Sequence, residues 1–166
     1  MTLIDLQSTY SKPGRVENLF VRPAPMEAVR VLDIVTAVTD VRLEGDHYQN
    51  HGGNRQVTLI QAEHLEVLSS LLGLHKIAAE LTRRNIVVRD INLLSLKGKR
   101  FYVGQALLEY SGECHPCSRM EKNFGPGAYN AMRGHGGITA KVVSGGVIKI
   151  GDVVTPEQAN IGTTQS

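Results

Sequence analysis

Tryptophan is absent from this chain of 166 residues, and aromatic residues make up only 5% of it. The core must therefore be filled by aliphatic side chains. No apolar run reaches the ~20 residues that a membrane-spanning helix needs, so no membrane partner is expected. The formal net charge is +2, too small for bulk attraction to nucleic acid, and nucleic acid is not expected as a partner either. Residues 1–15 lack the basic start and apolar stretch of a secretory leader. With two cysteines and no such leader, a reducing, cytoplasmic setting is expected, with thiols that are reactive, metal-binding or buried. Phosphate-binding glycine fingerprints are missing. So are a Ser/His/Asp order or carboxylate pair suited to hydrolysis, and any flavin, haem or iron–sulfur pattern.

Glycine, in contrast, is abundant at 17 residues, which suits many tight turns and a strand-rich fold. The length fits one domain with a substantial core. Strands are predicted at residues 15–21, once or twice within 29–41, and at 57–60, 86–88, 93–96 and 100–108. Residues 138–143 and 147–150 read as a hairpin around Ser144-Gly145-Gly146. Residues 61–72 switch to helical spacing through Leu65, Leu68, Leu71 and Leu72, and Gly73 ends the run. A second, shorter helix is predicted at 77–84. Strands and helices do not alternate, which argues against a doubly wound parallel sheet. The expected fold is mainly β (α+β by count): a mostly antiparallel β-barrel with two or more inserted helices. Residues 1–14 read as an N-terminal extension packed on a domain of residues 15–155, with a loose tail at 156–166. His51-Gly52-Gly53 and His135-Gly136-Gly137 echo one another, each a few residues ahead of a strand.

Chemistry concentrates in residues 112–139, which hold Cys114, Cys117, Arg119, Arg133 and a dense set of glycines. Cys114-His115-Pro116-Cys117 is a C-x-x-C with several readings. Two buried, inert thiols are the plain one. A dithiol redox pair wants a helix N-terminus, and Ser118-x-x-Glu121 resembles a capping box that would start one. A zinc site would draw on His115, His135, His51 or His64, and His64-x-Glu66 with the C-x-x-C is a partial match to a zinc deaminase. A single thiolate ligand to a soft metal, or a single sulfur carrier, is the remaining reading. Arg83-Arg84, Arg119 and Arg133 would make an anion pocket if the fold brings them together.

Taken in order, several pieces resemble the MOSC domain family, in particular its small bacterial stand-alone members. They are Leu43-Glu44-Gly45-Asp46, His51-Gly52-Gly53-Asn54-Arg55-Gln56-Val57, Arg84-Asn85-Ile86, Val103-Gly104, Cys114-His115-Pro116-Cys117-Ser118-Arg119, Arg133-Gly134-His135-Gly136-Gly137-Ile138 and Gly151-Asp152. The resemblance covers about residues 15–153. It implies a β-barrel-like fold and a molybdenum cofactor of undetermined form. Cys117 is the implied catalytic thiolate and molybdenum ligand, and Cys114 is the second choice. Arg55, Arg84, Asn85, Arg119, Arg133, His51, His135 and Gly136 are the implied cofactor-binding set. The implied activity is a molybdenum-dependent oxidoreductase acting on N-hydroxylated or other N–O small molecules, served by an external electron-donor protein. The alternative is a sulfur-carrier or cofactor-handling module with a persulfide on Cys117, loaded by a sulfur donor. No pyridoxal phosphate is expected, and the chain is expected to be a monomer or homodimer.

Overall fold

The computed structural model describes residues 1–162. The strands are β1 (Thr9–Tyr10), β2 (Gly14–Val21), β3 (Arg30–Leu32), β4 (Ile34–Val38), β5 (Arg42–Leu43), β6 (Val57–Gln61), β7 (Ile86–Arg89), β8 (Arg100–Val103), β9 (Ala106–Glu113), β10 (Ile138–Ser144), β11 (Gly146–Lys149), β12 (Val153–Pro156) and β13 (Asn160–Ile161). The helices are α1 (Leu3–Gln7), α2 (Ala62–Leu72), α3 (Ser118–Phe124) and α4 (Ala128–Met132), with one-turn 3₁₀ helices at Ala79–Thr82 and Leu93–Leu96.

Strands β12, β8, β9, β10, β6, β7 and β2 lie side by side in that order, and β2 pairs back onto β12 to close a barrel. Every junction is antiparallel except β6–β7. A parallel pair needs a crossover of a dozen or more residues. Here α2 and the Ala79–Thr82 turn supply it, so these two elements follow from that one junction.

The barrel interior is aliphatic, as the composition requires: Leu19, Leu43, Val57, Leu59, Ile86, Val88, Leu96 and Leu108 pack there around Phe101. Full burial of one such side chain stabilises by ~1.5–3 kcal/mol. A second cluster lies outside the barrel wall, where Phe20, Ile60 and Val87 meet Leu68 of α2, Met120 of α3 and Met132 of α4. Strand β6 is therefore buried on both faces. On α2 the inner face is narrower than the leucine spacing suggests, since Leu68 is buried while Leu71 is exposed. Gly73 ends this helix in the left-handed region at φ 65°.

Several elements differ from the sequence reading. Residues 77–84 do not form an α-helix. Only a 3₁₀ turn forms between α2 and β7, bounded by an extended Ala78 and by Arg83 in the left-handed region at φ 59°. Residues 93–96 form a 3₁₀ helix instead of a strand. The Asn92 side chain caps it by accepting from the Leu94 N–H, and Leu93 and Leu96, three apart, share the buried side. Residues 100–108 are two strands, β8 and β9, that turn at Gly104-Gln105. Gly104 sits at φ 56°, and a Cβ there would meet the Asp152 carboxylate at 2.3 Å.

The hairpin at 138–150 is also corrected. β10 stays in the barrel, and β11 leaves it to pair with β4 in a separate sheet, β11-β4-β5. Gly145 makes the change of sheet, donating its N–H to the Thr39 hydroxyl at 2.8 Å. The tail is tied down as far as the description extends: Asn160–Ile161 runs parallel to Thr9–Tyr10, and residues 163–166 lie outside the described residues. The strands that follow the two His-Gly-Gly echoes, β6 and β10, pair with each other.

Candidate functional site

The site is built on a polar frame beside the barrel wall. The Asp46 carboxylate is buried, and Arg22 grips it at three points: backbone N–H to Oδ1 at 2.7 Å, Nε to Oδ1 at 3.1 Å and Nη2 to Oδ2 at 2.9 Å. Asn85 completes the frame. Its Nδ2 donates to Asp46 Oδ1 at 3.2 Å and to the Phe20 carbonyl at 3.1 Å. Its Oδ1 accepts from the Thr58 N–H and hydroxyl at 3.0 and 3.1 Å. Burial alone would raise the Asp46 carboxyl, but the hydrogen bonds and charge of Arg22, joined by Asn85, hold it below the usual carboxylate range. This couples Leu43-Glu44-Gly45-Asp46 to Arg84-Asn85-Ile86 across the wall.

Next along the chain, Arg84 is buried at 6% exposure and has no carboxylate partner. It donates to four carbonyls: Nε to Gly136 at 2.8 Å, Nη1 to Thr82 at 3.0 Å, and Nη2 to Cys114 at 3.2 Å and His115 at 3.4 Å. Burial pulls this guanidinium below the ordinary arginine range, and charge on Cys114 opposes that pull. Three separate segments are thereby clamped together. The Cys114 N–H also donates to Gly137 O at 2.8 Å. Gly136 and Gly137 are required by this closeness. A Cβ on Gly136 would meet the Cys114 carbonyl oxygen at 2.1 Å, and one on Gly137, at φ 88°, would meet the Leu59 carbonyl at 1.8 Å.

The two cysteines are not equivalent. Cys114 is buried, with Arg55 Nη2 at 3.6 Å from its Sγ. Cys117 is exposed and occupies the N-cap position of α3, with no capping bond from its side chain. The helix start foreseen at Ser118 is real, but the capping box is not. Cys117 is the cap residue, and Glu121 reaches forward to accept from the Tyr129 and Gly127 N–H groups, tying α3 to α4.

Two clefts are lined by the chain neighbours of this cysteine, though not by Cys117 itself. One of about 760 Å³ is lined by His115, Pro116, Tyr129, Asn130 and Arg133. The other, about 570 Å³, is lined by Met26, Leu81, Arg83, Arg119 and Asn123. Cys117 stands between them in the chain, with Pro116 in the first cleft and Arg119 in the second. A further cleft of about 630 Å³, between α2 and β2, is lined by Glu66 but by none of the implied cofactor-binding residues.

Arg83 adopts a left-handed backbone at φ 59° and donates to the carbonyls of Ala24, Pro25 and Glu27. Arg119 reaches Met26 Sδ at 3.2 Å. The two arginines thus sit under a roof made by the 24–27 loop. Burial and the charges of Arg119 and Arg22 lower the Arg83 guanidinium, while Asp46 and Cys117 oppose the shift.

Of the candidate residues, Cys114, Arg55, Arg84 and Gly136 come together directly. Arg119 and Arg133 line separate clefts. Asn85 is in the frame behind them, with its amide fully used. His51 lies on an exposed turn whose Gly52 N–H bonds Asp40. His135 packs edge-on against His64, ring centroids 5.0 Å apart, with Nδ1 3.1 Å from Ala131 O. Sequence reasoning missed the Met26 roof and the role of Asp46. The Leu-Glu-Gly-Asp motif was the available signal for the second. Glu66 of the His64-x-Glu66 pair is bonded to Arg89. Among the described residues, no three His, Cys, Asp or Glu side chains gather to hold a metal.

The seven-stranded barrel is a fold shared with solved structures. The MOSC domain family model matches residues 47–155. The chain belongs to the MOSC domain family, which is associated with the molybdenum cofactor. The matched span begins after β5, so β2, which closes the barrel, lies outside it. The fold is similar to that of the YuaD protein from Bacillus subtilis, at 18% identity over 86% of this chain and 94% of that one, with a TM-score of 0.73. It is also similar to YiiM from Geobacillus stearothermophilus (18% identity, 87% and 75% covered, TM-score 0.70). YiiM from Escherichia coli matches at 18% identity, with 86% and 69% covered and a TM-score of 0.65. At such identity these likenesses concern the fold. No curated protein matches this chain significantly in sequence. No helix among the described residues is long and apolar enough to cross a membrane.

Proposed function

We propose that this protein binds the molybdenum cofactor, with the Cys117 thiolate as its protein ligand to the metal, and reduces N-hydroxylated or other N–O compounds. The observation that carries the reading is one exposed thiol, Cys117, whose chain neighbours His115, Pro116 and Arg119 line two arginine-bearing clefts. The donor set fits. No cluster of three protein ligands is present among the described residues, so a metal here must bring most of its own ligands. A single soft thiolate suits a molybdenum already held by a pterin dithiolene. The bound centre would supply two-electron removal of oxygen from the N–O bond, with electrons from an external donor protein.

The chain's residues position and neutralise. Arg133 and His115 on one side, and Arg83 and Arg119 on the other, offer guanidinium and imidazole donors to a phosphate or an anionic substrate group. Arg84 holds the cysteine segment in place from behind. The test is metal content after purification from a host that makes the cofactor. Cys117→Ala should lose most bound molybdenum, and Cys114→Ala should keep it. Equal retention in Cys117→Ala and the parent protein would remove Cys117 from the metal.

The same exposure favours a second reading, a persulfide carrier, because a desulfurase can reach Cys117 from outside. Intact-mass measurement after incubation with a cysteine desulfurase would show one added sulfur on Cys117. No added sulfur would discard this second role.

A further inference from the structure

A C-x-x-C in a helical turn brings its thiols within reach of one another. Here the segment is extended. No turn, bend or helix occurs over residues 114–117, and α3 begins only at Ser118. Pro116 enforces this, since its ring fixes φ near about −65° and its Cδ drives the preceding His115 to extended backbone. Three steps of such chain separate the two Cα atoms by roughly 9–10 Å, whereas a disulfide needs less than about 7 Å. The near end cannot swing to close the gap. Arg84 holds the Cys114 and His115 carbonyls and Gly136 O, and the Cys114 N–H is bonded to Gly137 O. Cys114 is 1% exposed, with its sulfur facing Arg55.

We infer that Arg84 and Pro116 act as positioning residues that keep this C-x-x-C open, so that a sulfur adduct formed on Cys117 persists because Cys114 cannot resolve it. The inference rests on Cys117 being the working thiol. Attack of the Cys117 thiolate on glutathione disulfide forms a Cys117–glutathione bond and releases one glutathione thiolate. In a closable pair, the Cys114 thiolate would then attack the Cys117 sulfur, form the internal disulfide and release the second glutathione thiolate. With a persulfide on Cys117, the same attack would release hydrosulfide and discharge the carrier. An open pair blocks this second step, which leaves a single sulfur available to a metal or to a transfer partner.

The test treats the full chain with oxidised glutathione and reads intact mass and peptide maps. The parent protein should stop at one glutathione on Cys117, with Cys114 a free thiol that reacts only after unfolding. Arg84→Met and Pro116→Gly should each go on to a Cys114–Cys117 disulfide, with no glutathione retained and two hydrogens lost. Adding Cys114→Ala to either variant should restore the stalled adduct. Should Arg84→Met fail to fold, Pro116→Gly alone decides the matter. An internal disulfide in the parent protein, no adduct on Cys117, or a stalled adduct in folded Pro116→Gly each overturns the proposal. A stalled adduct together with molybdenum content unaffected by Cys117→Ala would instead retire only the cofactor role.

Discussion

Two guanidinium anchors hold neighbouring parts of this protein, and they handle charge in opposite ways. Arg22 meets a buried carboxylate, Asp46, which neutralises it locally through a three-point contact. Arg84, one residue before the asparagine that completes that frame, meets only carbonyl oxygens and lies deeper. An ion pair satisfied within itself projects little field. A cation solvated by carbonyl dipoles keeps its net charge in a region of low dielectric, where its reach is longer. Cys114, Arg55, Cys117 and Arg22 are the charged or ionisable groups that act on Arg84. The first anchor therefore fixes the wall, and the second fixes the cysteine segment.

The largest way to break this contrast is at Asp46. Asp46→Ala leaves Arg22 without its partner, and loss of one member of a buried pair costs about 3–5 kcal/mol; urea unfolding measures it. The pH dependence carries its own sign. Asp46 is held below its ordinary value of 3.8, so the unfolded chain binds the proton more readily. The stabilisation is complete above the unfolded value and is lost as pH falls through the lower, folded one. Asp46→Asn should flatten that acid limb. Arg84→Met should cost less, about 1–3 kcal/mol, because carbonyls lose donors while a buried charge is also removed. It should leave the acid limb unchanged. A larger loss from Arg84→Met than from Asp46→Ala would reverse the assignment of roles.

The same contrast explains what could be read in advance. Runs of Val, Ile and Thr punctuated by glycine betray a barrel, because strand pairing is written in local residue types. The thiol segment stood out for its composition. Leu93–Leu96 misled, since an apolar run of four fits a buried strand and a 3₁₀ turn equally, and Asn92 decides between them by capping. The 138–150 hairpin misled because Gly145 hands the chain to a different sheet, a choice set by Ala37 and Thr39 far away in sequence. Arg84 and Asn85 were legible as important residues. That their side chains face inward depends on carbonyls from three distant segments, at Phe20, Cys114–His115 and Gly136, and no local pattern encodes that. The roof over Arg83 and Arg119 has the same origin, in backbone oxygens of Ala24, Pro25 and Glu27.

The smallest expected effect sharpens the comparison by adding a neutral polar element. His64, at the start of α2, packs against His135, the residue before the clamped Gly136. Burial lowers the His64 imidazole below its ordinary 6.5, the charge of a protonated His135 lowers it further, and Glu63 opposes both. The folded protein therefore favours neutral His64, and the unfolded chain takes up a proton first as pH falls. Stability is full above about pH 6.5 and declines below it. His64→Gln should match the parent protein at pH 8 to within about 0.5 kcal/mol, and should be the more stable of the two near pH 5.5. Equal slopes for both proteins across pH 8 to 5 would show that the imidazole titrates alike folded and unfolded. Otherwise acid sensitivity divides by element: His64 acts below neutrality, Asp46 acts below pH 4, and Arg84, bonded only to carbonyls, contributes in neither range.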